Sequence, residues 1–164
     1  MPLTDTDRGL VSDFLASVAA SFADDERFSD VSPRDPGGAA EPEDPQVWLT
    51  IWDKTWIRLK PHPDKETLLV ALATRNRNVS EAIEGNALHL GDTFGDLLED
   101  GLEDAGEEDI YDVDHYHDRG VFYFESELPL EGGWASLESE EVKDKARKLA
   151  LGYLLGFGRF YMKG

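Results

Sequence analysis

Residues 111–118, Tyr-Asp-Val-Asp-His-Tyr-His-Asp, bring Asp112, Asp114, His115, His117 and Asp118 into one short stretch. Read as a strand, the stretch places His115 and His117 on one face and Asp112 and Asp114 on the other. Two imidazoles two residues apart, joined by a carboxylate, could hold Zn²⁺ or another divalent ion, and this is the pattern of a metal-binding protein or a metal-dependent hydrolase. The same alternation also describes an exposed edge strand whose charges discourage pairing with other chains. A calcium loop of EF-hand type does not fit, because Tyr116 and His117 stand where a third oxygen ligand and a glycine are needed.

A second group is aromatic. Trp48, Trp52 and Trp56 share one alternation parity if the turn between them preserves it, and Phe124 lies on another strand-like stretch. An aromatic face of this kind either forms core beneath helices or offers an apolar surface to another protein. No catalytic residue is assigned. The chain has no phosphate-cradling glycine loop, no H-E-x-x-H and no G-x-S-x-G, and with acids this abundant a pair of carboxylates carries no information. His62 and His89 stand alone, and Asn78-Val79-Ser80 matches a glycosylation sequon that has no secretory signal to accompany it. No cofactor is expected.

The composition narrows the function classes further. The 164 residues, about one domain's worth, include 35 acidic and 16 basic side chains, for a formal charge of -19. Nucleic-acid binding needs clustered Lys and Arg, so nucleic acid is excluded as an expected partner, and so is an anionic membrane surface. Four Trp, eight Phe and 40% hydrophobic residues suffice for a packed core. Zero cysteines exclude disulfides, thiolate metal sites and a cysteine nucleophile, and fit a reducing compartment. Residues 1–10 carry Asp5 and Asp7 and no apolar stretch, so a cytoplasmic location is expected. A surface this negative repels itself and is relieved by salt. It belongs either to a halophilic source or to a protein that engages a basic partner, and an acidic immunity or inhibitor protein is a variant of the second reading.

The elements that must position these groups read as follows. Thr4 and Asp5 offer N-cap oxygens to an amphipathic helix over 1–22, carrying Leu10, Val11, Phe14, Leu15, Val18, Ala19 and Phe22 at helical spacing. Residues 23–45, rich in acids with Pro33, Pro36, Pro42, Pro45, Gly37 and Gly38, form a mobile linker or long loop. Residues 46–52 and 55–60 alternate as a hairpin, and 66–74 are a mostly apolar strand. A helical turn or two over 79–84 precedes an irregular stretch, and Thr93 caps a helix bearing Phe94, Leu97, Leu98 and Leu102. Strands over 110–117 and 121–128 make a second hairpin around Asp118-Arg119-Gly120. A final helix from Ser136 or Ser139 carries a stripe from Val142 to Tyr161. Within it Gly152 and Gly156 imply close backbone approach, against the domain's own sheet or a second subunit.

The order α-βββ-α-ββ-α with hairpin connections is that of an α+β domain: an antiparallel sheet of about five strands with helices packed on one face. The core spans 46–164 and takes in the first helix.

This order of elements, the acidic composition and the passage from strand 120–129 (Gly-Val-Phe-Tyr-Phe-Glu-Ser-Glu-Leu-Pro) into an amphipathic terminal helix resemble the type III secretion chaperone-like fold. Within it, the likeness is to YbjN-like proteins, described as bacterial sensory-transduction regulators, and covers roughly 47–161. The resemblance implies a non-enzymatic domain, commonly a homodimer, that binds segments of other proteins through apolar surface on its sheet and helices. The long Pro- and Gly-containing stretch departs from that pattern. The leading expectation is a protein-binding module of chaperone-like or regulatory type, with Trp48, Trp52, Trp56 and Phe124 as its contact surface and a protein client or a second copy as its partner.

Overall fold

A computed structural model describes residues 3–38 and 44–162. It is α+β, with six antiparallel strands in the order β1-β2-β3-β4-β6-β5. These are β1 (Val31–Ser32), β2 (Val47–Trp52), β3 (Thr55–His62), β4 (Thr67–Thr74), β5 (Asp114–Asp118) and β6 (Val121–Leu128). Four α-helices accompany them: α1 (Asp5–Ser21), α2 (Arg77–Leu90), α3 (Phe94–Ala105) and α4 (Glu140–Gly158), the last preceded by a 3-10 helix over Gly133–Glu138. No described helix is long and apolar enough to cross a membrane.

The helix starts follow local chemistry. Thr4 Oγ1 accepts from the Asp7 N–H at 3.1 Å, with Asp5 and Asp7 in the first turn where the helix dipole favours them. Thr93 and Asp96 form a reciprocal capping box on α3. Of the two candidate starts for α4, Ser139 is its N-cap, and Ser136 lies in the 3-10 helix.

One face of the sheet carries Leu49, Ile57, Leu59, Val70, Leu72 and Phe124 into a core completed by α1, α3 and α4. Val11, Phe14, Leu15 and Val18 of α1 sit in that same core, so the first helix is part of one domain with the sheet. Against this face α3 and α4 pack backbone to backbone. A Cβ on Gly101 would lie 2.5 Å from the Gly156 nitrogen and 2.8 Å from its Cα, and would collide with the Gly152 carbonyl. The pair Gly152 and Gly156 therefore faces α3 of its own chain.

The structure corrects several expectations. Part of 23–45 is ordered by long-range contacts: Phe28 stacks on Phe22 at 4.3 Å, Val31 and Ser32 pair with β2, and Asp35 ion-pairs with Arg75. Pro42 lies outside the described residues. The mixed stretch after Asn76 is one fourteen-residue helix, capped by the Asn76 side chain and held by buried Val79, Ile83 and Ala87. Residues 110–113 are not strand; β5 begins at Asp114. The α4 helix ends at Gly158, so Phe160 and Tyr161 belong to the turns beyond it.

Candidate functional site

His115 of the expected metal cluster packs among aromatic rings. Its ring lies flat on Phe124, with centroids 4.0 Å apart, and meets Phe94 edge-on. Nδ1 is 2.8 Å from the Tyr123 carbonyl and Nε2 is 2.9 Å from Glu84 Oε1. Both ring nitrogens are thus engaged within the chain, one by a carbonyl and one by a carboxylate. The same contact lowers the Glu84 carboxyl below its usual range, with the hydrogen bond to His115 as the main cause and that from Ser80 adding to it against the cost of burial. His117 shares the face of His115 and packs against Phe122, Asp114 points to the opposite face, and Asp112 precedes the strand. Among the described residues no group of three His, Asp or Glu could hold a metal ion. Asp112, Asp114, His115 and His117 are not brought together.

The aromatic expectation is also redistributed. A bulge between Thr50 and Trp52 shifts the β2–β3 register, so Trp52 turns to the helix side and packs near Tyr161. Phe124 is fully buried on that side between His115, Phe94 and Phe157. Trp48 and Trp56 do share the helix-free face and meet edge to face at 5.5 Å, yet they are only 2% and 6% exposed. The four residues do not form one accessible surface in the single chain.

What that face presents instead is a polar network among aromatics. Arg58, 3% exposed, ion-pairs with Glu125 and lies over Tyr123, its guanidinium carbon 4.5 Å from the ring centroid. Tyr116 donates to the same Glu125 carboxylate at 2.9 Å, and burial pushes its phenol well above the ordinary tyrosine range. Register places Arg58, Ala71, Glu125 and Asp114 in one row, and the small Ala71 between Arg58 and Glu125 leaves room for the side chains to meet. Over this face Arg34, Asp35, Gly37, Gly38, Asp44 and Gln46 border a cavity of about 990 Å³ with Trp48, Arg58, Lys60 and Tyr123. Burial, and then the charge of Arg58, lower the Lys60 ammonium.

Beside it, a groove of about 1160 Å³ opens where β5 ends early. Its walls are Ile110 to Asp114, the last residues of β6, the start of α4 and the β3–β4 end carrying Lys60, His62 and Leu69. Ile110 stands 74% exposed at its rim. Tyr111 lines it at 7% exposure with a hydroxyl that has no hydrogen-bond partner. Burial, reinforced by Glu107 and Asp109, pushes that phenol up to about 12.

The sheet edge in this groove is incomplete. Arg119 and Gly120 both have positive φ, 51° and 83°, and form a two-residue turn flanked by the pair Asp118 and Val121, the position at which a hairpin of this kind is closed by hydrogen bonds. Alternation then makes Tyr123 and Glu125 the next positions bonded outward, opposite Tyr116 and Asp114, and Glu127 the one after. Because β5 begins at Asp114, Glu127 has a strand neighbour on one side only, at Leu69 of β4.

Arg58, Glu125, Tyr111 and Glu127 were missed in the sequence. Strand parity would have put Arg58 beside Trp48 and Trp56, but its partner lies 67 residues away and needs the strand order. Comparison of the chain with family models, with curated proteins and with solved structures gave no match.

Proposed function

We infer that the chain is a non-enzymatic protein-binding module of chaperone-like or regulatory type. Its contact region is the groove at the end of β6. One observation carries the reading: a single groove combines an exposed aliphatic side chain at Ile110, an open backbone edge at Glu127 and a buried, unpartnered Tyr111 hydroxyl. Polypeptides satisfy all three at once, because they bring apolar side chains, a backbone donor and a backbone acceptor together. The resemblance in element order to chaperone-like domains favours the same reading. The buried Trp48, Trp56 and Phe124 move the contact away from the aromatic stripe.

The test is site-specific photocrosslinking in the host cell, with p-benzoylphenylalanine at Ile110 and, as control, at Leu88 on the exposed side of α2. A polypeptide adduct at 110 and none at 88 supports the reading. An adduct of twice the chain mass makes the partner a second copy. Equal labelling at both positions, or none at 110, sinks it.

A further inference from the structure

We propose that this groove takes an extended basic segment of a partner protein, which adds to the free edge of β6 at Glu127 and sets its Lys or Arg side chains among the groove's carboxylates. The proposal rests on the protein-binding reading and names the partner's chemistry.

Three observations carry it. The first is the edge. Glu127 directs its backbone N–H and C=O outward where β5 has ended, and an open pair of this kind is completed by an extended chain lying alongside. The second is the buried hydroxyl of Tyr111, unpartnered at 7% exposure in the groove wall. With its phenol pushed up to about 12, it is neutral at physiological pH and able to donate to a carbonyl of the entering strand. The third is charge. The groove is lined by Asp109, Asp112, Asp114, Glu125, Glu127, Glu131 and Glu141 against Lys60, Lys65 and Lys145. Lys65 lies 3.7 Å from Glu127 and Lys145 lies 2.5 Å from Asp109, while Arg58 and Tyr116 engage Glu125. Asp112, Asp114, Glu131 and Glu141 make no ion pair among the described residues.

The occupant follows from alternation. A strand seated on Glu127 turns successive side chains to opposite faces. One set meets the carboxylates of Asp114, Glu125 and Glu127 on the helix-free face, and the other meets Val113 and Val142 on the helix side, so the fitting segment alternates basic and aliphatic residues. An acidic segment is repelled, and a helix leaves the Glu127 backbone groups unpaired.

Three fluorescent peptides, acetylated and amidated, test this: an alternating Lys–Val peptide, its Glu–Val counterpart, and a Lys–Val peptide N-methylated at alternate residues so that its edge cannot pair. Binding to the full chain is read by anisotropy from about 0.3 M to about 2 M KCl. The Lys–Val peptide is expected to bind at least about tenfold more tightly than the other two, and to weaken as salt rises. The D112N/D114N/E141Q variant is expected to lose about tenfold, and D5N/D7N/D13N, which removes the same formal charge from α1, none. Equal binding of the methylated peptide removes strand addition, and equal loss in both variants reduces the effect to general attraction by the -19 surface; either overturns the proposal. A polypeptide adduct at Ile110 with no Lys–Val binding overturns the basic segment and leaves the protein-binding reading standing. Failure of both removes both.

Discussion

Replacing Gly101 by Ala sets two effects of known sign against each other. Alanine is the better helix former by about 1 kcal/mol in a helix interior, so an unobstructed glycine in α1 or α2 gains from the change. At Gly101 the added methyl would stand 2.5 Å and 2.8 Å from the Gly156 nitrogen and Cα, where ordinary contact begins near 3.4 Å, and both are backbone atoms that no rotamer can move. The α3 and α4 axes would have to separate by about 1 Å, a gap that forfeits a quarter to a half of the dispersion attraction for each atom pair across the seam. Leu97, Leu98 and Leu102 on one side and Leu149, Tyr153 and Phe157 on the other are buried there, so the loss is spread over a large contact. Overpacking of this kind costs about 1–3 kcal/mol and sometimes more, and the propensity gain offsets only part of it. Gly101→Ala is therefore expected to lose about 2 kcal/mol. Gly85→Ala in α2, with nothing within 4 Å of the new methyl, is expected to gain up to about 1 kcal/mol. Gly152→Ala falls between, because its nearest neighbours, 2.6 Å and 2.9 Å away, are side-chain atoms of Leu102 that can turn aside. Urea midpoints at one fixed salt concentration rank the three. A Gly101→Ala midpoint at or above wild type, or a destabilised Gly85→Ala, would refute the reasoning.

Removing one partner of the buried ion pair, Glu125→Ala, leaves Arg58 charged and 3% exposed; a cost of about 3 kcal/mol is expected by urea titration, and a change under about 1 kcal/mol would contradict it. Tyr111 ionises near 10 when unfolded and is pushed up to about 12 in the fold, so its contribution is complete below pH 10 and is lost as pH rises towards 12. Tyr111→Phe should therefore flatten the fall in urea midpoint across that window, and an unchanged slope would refute the assignment. Arg75→Met removes the ion pair to Asp35 and the 3.2 Å bond to the Arg119 carbonyl, which tie Asp35 to the helix-free face; tryptophan emission should shift to the red, and an unchanged spectrum would contradict it. Raising KCl should raise the wild-type midpoint, since screening relieves a net charge of -19, and a falling midpoint would show attraction to dominate at the surface.

The architecture class was legible because the signals that encode it are local. Thr4, Thr93 and Ser139 meet the orphan amides of their own first turns, and the heptad-like stripes of α1 and α4 need no partner to be recognised. Alternation marked β2, β3 and β6 because one face of each lies against helices. The α2 pattern predicts only a turn or two of helix because its buried residues are few, and packing supplies what that pattern does not advertise.

From the amino-acid sequence alone follow most of the helices and strands, their antiparallel hairpins and the acidic surface, since caps, turns, periodicity and charge act within a few residues of themselves. Tertiary structure alone decided which groups meet. One bulge sent Trp52 away from Trp48 and Trp56, stacking on Phe124 and bonding to Glu84 fixed the His115 ring, and strand order brought Glu125 to Arg58. The late start of β5, at Asp114, left Glu127 at an open edge. Register and burial are set by the free energy of contacts between residues far apart in the chain, and a one-residue change in pairing reverses the face on which a side chain stands.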